Sequence, residues 1–76
     1  METATLKELL MEPGELKKLV EARTHRRIRD LRVELHNGSL VLRGRADSYH
    51  LKQLAQHGIL DVMPKVRIVN NIVVQS

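Results

Sequence analysis

From Val33 to Gly44 the chain reads VELHNGSLVLRG, apolar and polar residues alternating on either side of an Asn37-Gly38 step. Alternation at period two is the mark of a half-buried strand, and Asn-Gly supplies the two positive-φ residues of a two-residue type I′ turn. A hairpin closed at that step sets His36 opposite Ser39, Leu35 opposite Leu40, Val33 opposite Leu42 and Leu31 opposite Gly44. One face then carries Leu31, Val33, Leu35, Leu40 and Leu42. The other carries Arg32, Glu34, Val41 and Arg43, with Asp30 across from Arg45 at the open end. The first face predicts core; the second predicts a surface that meets water or a partner.

The period changes on both sides of this hairpin. After Pro13, Leu16, Leu19 and Val20 fall on one side of a helix running to about Arg23, opposite Glu15, Lys18 and Glu21. Residues 1–12 form an N-terminal extension in which Thr5 and Glu8 have capping-box spacing, followed by Leu9 and Leu10, so that a short helical turn or a frayed segment is expected. RTHRRIRD has no clean period and predicts a loop with Ile28 pinned on the core. Downstream, Asp47 or Ser48 can cap a helix that puts Leu51, Leu54, Ala55, Gly58, Ile59 and Val62 on one stripe. Gly58 inside that helix points to close packing against the sheet or to a weak last turn. Pro64 ends the helix, and VRIVNNIVV follows as a strand with apolar residues of both parities. The order αββαβ predicts an α+β fold: one domain over residues 13–76, with both helices on one face of a three-stranded mixed sheet, the last connection a right-handed crossover.

A chain of 76 residues builds a single small core, which argues against a deep catalytic pocket. It has no cysteine, hence no disulfide and no thiolate metal site. No stretch approaches the ~20 apolar residues of a membrane span, and METATLKELLMEPG lacks a basic start followed by an apolar run. As written, this predicts a cytoplasmic chain. The formal net charge of +4 is unevenly placed: residues 1–22 sum to −2, residues 23–52 to +5 and the remainder to +1. Such a central basic region attracts phospholipid headgroups, nucleic acid or acidic protein, and it is equally the signature of an ordinary solvated surface.

Guanidinium forks match phosphate oxygens, so Arg26, Arg27, Arg29, Arg32, Arg43 and Arg45 are the candidates for anion contacts. Arg32 and Arg43 face each other across the hairpin, a repulsive pair that Glu34 can relieve diagonally or an anion can share. Tyr49, the only aromatic residue, and Lys52 add a second candidate for a lipid interface; the alternative is a tyrosine packed over the end of the hairpin with its hydroxyl in water. Nucleic-acid binding is the weaker reading, because the chain has no Phe or Trp for stacking and no GxxG loop. His25, His36, His50 and His57 are scattered, and the run of Asp47, Ser48 and His50 comes with no oxyanion hole, so no catalytic, metal or cofactor residues are assigned. The surplus of apolar residues in the last strand is also compatible with burial in a homodimer or against another protein.

The hairpin and the last strand together resemble the BON domain, a small module named for bacterial osmotic-stress and nodulation proteins. The likeness runs from about Leu16 to Val74. Val33, the Asn37-Gly38 turn, Val41-Leu42 and Gly44 approximate a V-x-x-x-x-G-x-V-x-L-x-G arrangement. In VMPKVRIVNNIVV, Pro64, Val66, Val69, Asn71 and Val73 approximate P-G-V-x-x-V-x-N-x-[IL]-x-V, with Lys65 in place of glycine and Gln75 in place of the final valine. Asn70, Ile72 and Val74 fit the end of that strand better, and the one-residue slip between the two alignments exchanges its faces. The resemblance implies structural roles for Asn37, Gly38, Gly44 and Asn71, with Gly44 lying where helix and sheet come close. It further implies a non-enzymatic module of the bacterial envelope that contacts anionic phospholipid or a membrane-associated protein.

Overall fold

The computed structural model describes residues 12–75 and shows the αββαβ order: α1 (Pro13–Arg23), β1 (Arg29–His36), β2 (Ser39–Ala46), α2 (Tyr49–Val62) and β3 (Arg67–Val74). The expected helical turn around Thr5 and Glu8 lies outside the described residues. Each element starts where its local chemistry directs. Pro13 opens α1, where a missing N–H costs nothing, and the Glu15 carboxylate reaches back to accept from the Glu12 N–H at 3.4 Å. Of the two possible caps for α2, Ser48 is the one used: its Oγ accepts from the Leu51 N–H at 3.2 Å. Asn37 and Gly38 take φ of 50° and 80°, closing the hairpin in the expected register from His36–Ser39 to Arg32–Arg43.

β2 is central, pairing antiparallel with β1 and parallel with β3. Side chains alternate, so Leu31, Val33, Leu40, Leu42 and Ile72 enter one core with Leu16 and Val20 of α1 and with Leu51, Ala55 and Ile59 of α2. Both helices therefore lie on one face of the sheet. Thr24, fully buried in what looked like a formless loop, ends α1 by donating its hydroxyl to the Val20 carbonyl at 2.8 Å.

Four expectations are corrected. The ladder slips between Arg29 and Arg32, where Asp30 takes a positive φ of 53°; Arg29, not Asp30, stands opposite Arg45. The glycine at position 44 is required by β1 rather than by a helix: a Cβ there would lie 2.9 Å from Ile28 Cγ2 and 3.0 Å from the Arg29 carbonyl oxygen. Gly58 allows the helices to approach each other, its would-be Cβ meeting Arg23 Cγ at 3.0 Å, and not helix and sheet. Leu35 and Val62, expected in the core, are exposed because they sit where their elements overrun the apolar layer.

Candidate functional site

Both helices lie on one side, and among the described residues no helix lies over the other face of the sheet. The rows across β1, β2 and β3 on this open face run His36–Ser39–Arg67, Glu34–Val41–Val69, Arg32–Arg43–Asn71 and Arg29–Arg45–Val73. The face is thus cationic on β1 and β2, while on β3 Arg67 and Asn71 alternate with Val69 and Val73, which are 40% and 51% exposed. Val41, beside Val69 in the central strand, is buried.

The arginines of this face are partly balanced. Arg45 reaches Asp30, at the bulge, at 2.6 Å, so the two remain an ion pair although the slip in register takes Asp30 out of line with Arg45. Arg43 donates to Glu34 Oε1 at 3.3 Å along the expected diagonal. Arg29 lies 4.0 Å from Asp47. These are exposed pairs, and each contributes little to stability. Arg32, side by side with Arg43, has no carboxylate within 4.0 Å among the described residues. Beside the bulge the surface sinks into an open depression, with Lys17 of α1 at its rim and Gly44 contributing no side chain.

The structure divides the residues singled out from the sequence. Arg29, Arg32, Arg43 and Arg45 come together on the open face; Arg26 and Arg27 are exposed in the connection that leads to it, Arg26 at a positive φ of 57°. Tyr49 and Lys52 stay in the helical layer on the other side of the sheet, so they do not join the arginines. Asn71 is exposed on the open face, and the structural role expected of it is taken by Asn70. The Asn70 amide donates to the Lys52 carbonyl at 3.0 Å and to Gln56 Oε1 at 3.2 Å, tying β3 to α2, while its oxygen accepts from the Ile72 N–H at 3.2 Å. Two cations were not singled out. Arg67 becomes visible once the register of β3 is known, and Lys17 flanks the apolar stripe of α1 with no local signal to mark it.

Among the described residues no three His, Asp or Glu side chains gather as a metal-binding group, and no helix is long and apolar enough to cross a membrane. No protein-family model, no curated protein and no solved structure matches the chain.

Proposed function

We propose that the chain is a non-catalytic binding module, resembling BON domains, whose open sheet face rests on an anionic phospholipid surface. The observation that carries this reading is the gathering of Arg29, Arg32, Arg43 and Arg45 with the exposed Val69 and Val73 on one face that no helix covers among the described residues. A lipid interface offers both matching environments, anionic headgroups for the guanidiniums and the acyl boundary for the valines. A single-stranded nucleic acid is read best by stacking on large aromatic rings, and no Phe, Tyr or Trp lies in the rows of this face. The αββαβ order with a mixed sheet supports the resemblance to BON domains without naming a ligand.

An amide-shift titration of the ¹⁵N-labelled chain at one ionic strength tests the reading, comparing nanodiscs of phosphatidylglycerol, nanodiscs of phosphatidylcholine and a short DNA duplex. Shifts confined to the open face, at Arg32, Arg43, Arg45, Val69 and Val73, are expected with the anionic nanodiscs alone. Equal shifts with the duplex, or shifts at Tyr49 and Lys52 in place of the sheet, would overturn it.

A further inference from the structure

Basic side chains from both layers meet at the edge of the sheet that β1 forms. Lys17 of α1 and Arg32, Arg43 and Arg45 of the hairpin line a depression beside the β1 bulge, with Asp30 the carboxylate among its lining residues and Gly44 contributing no side chain. Asp30 is engaged by Arg45, and Arg43 is paired at 3.3 Å with Glu34, which is not among the lining residues. Arg32 and Lys17 have no carboxylate within 4.0 Å among the described residues. Arg32 and Arg43 stand directly opposite each other on neighbouring strands, a repulsive placement that an anion held between them relieves.

We infer that this depression is a site for a terminal phosphate, the phosphomonoester dianion, an inference that rests on the anionic-surface reading above and narrows it to one chemistry. A phosphomonoester carries close to two negative charges at neutral pH on three free oxygens. A guanidinium fork takes two of those oxygens, and an ammonium supplies a point charge for the third. A phosphodiester presents one charge and two free oxygens, so it leaves part of the same cluster unsatisfied. The terminal phosphate can belong to a lipid headgroup, as in phosphatidic acid, or to a soluble phosphate; the recognition chemistry is shared.

The test titrates the labelled full chain with inorganic phosphate and with dimethyl phosphate at constant ionic strength. It then measures binding to phosphatidylcholine vesicles containing phosphatidic acid or phosphatidylglycerol, matched in surface charge. Saturable shifts at Leu31, Arg32 and Gly44 with inorganic phosphate, and much weaker ones with the diester, are expected. Arg32→Gln and Lys17→Gln should each weaken phosphate binding roughly tenfold, whereas Lys65→Gln, in the turn before β3 and away from both the depression and the open face, leaves it unchanged. Both altered residues are exposed, and unchanged α2 amides will show that each variant is folded. A preference for phosphatidic acid that Arg32→Gln removes assigns the lipid source. Saturable phosphate binding with no vesicle binding supports the site, assigns it to soluble phosphate and overturns the membrane reading. Vesicle binding with equal, unsaturable responses to the two small anions overturns the site and leaves the membrane reading standing.

Discussion

Gly44 shows how one residue ties the hairpin to the surface it presents. Its φ of 152° is disfavoured for residues with a side chain, and the space a Cβ would take is held by Ile28 and by the β1 backbone at 2.9 to 3.3 Å. Backbone cannot yield as the tip of a side chain can. Gly44→Ala is therefore expected to destabilise the chain by about 2–4 kcal/mol, combining conformational strain with overpacking. Gly38→Ala, at φ 80° with nothing within 4 Å, should cost only the left-handed conformation, roughly 1–2 kcal/mol. Urea unfolding of the two variants checks the order, and equal midpoints would show that the crowding at Gly44 relaxes freely. Alternation alone indicated that position 44 faces Leu31 on the core side, so its need for glycine was legible. What presses on it was not, because the bulge depends on Asp30 adopting a positive φ, a conformation that Asp tolerates without requiring it.

Among the elements, β3 carries the least self-evident design. It is an edge strand, and Ile68, Val69, Ile72, Val73 and Val74 make it apolar on both faces, the composition that invites another chain to pair. Gln75, just past its end, turns its N–H to the Ala46 carbonyl of β2 at 2.8 Å. Because successive amides of a strand point in opposite directions, the Ile72 N–H points to the free edge, where the Asn70 side chain accepts it. Asn70 thus anchors β3 to α2 and occupies a donor that a second copy would need, which weighs against dimerisation along this edge. Asn70→Ala should lower stability by about 1–3 kcal/mol, while Asn71→Ala stays within about 0.5 kcal/mol of the parent. The Asn70 variant should also show concentration-dependent sedimentation that the parent lacks. A parent already dimeric through β3, or an unaltered Asn70 variant, would refute this role. Two adjacent asparagines in a run apolar at both parities left the register open in the sequence; the contact with α2 decides it, and that contact is tertiary.

In the fold as a whole, two helices pack on one side of a three-stranded sheet, no helix among the described residues covers the other side, and like charges stand there. The concentration of arginine between residues 23 and 52 was plain from the sequence, as was the Arg32–Arg43 juxtaposition. Which other residues belong with them was not, since Tyr49 and Lys52 are separated from them by the sheet and Lys17 and Arg67 are added by packing and register. Folding alone gives no reason for Arg32 to remain opposite Arg43, because the pair repels and the exposed ion pairs around it recover little. Replacing Arg32 by threonine removes that repulsion and suits an exposed strand position, so Arg32→Thr is expected to raise stability by up to about 0.5 kcal/mol. Salt screens the repulsion in the parent, and the gain should shrink as ionic strength rises. The same variant should bind anionic vesicles about fivefold less tightly, the loss of roughly 1 kcal/mol expected for one cation at a membrane surface. Urea denaturation at low and high salt, paired with vesicle binding, reads both effects. A variant that is less stable than the parent would make Arg32 a packing residue. One that is more stable yet binds vesicles as tightly would detach the arginine pair from any role at an anionic surface, whereas greater stability with weaker binding is the pattern of a charge retained for what it holds.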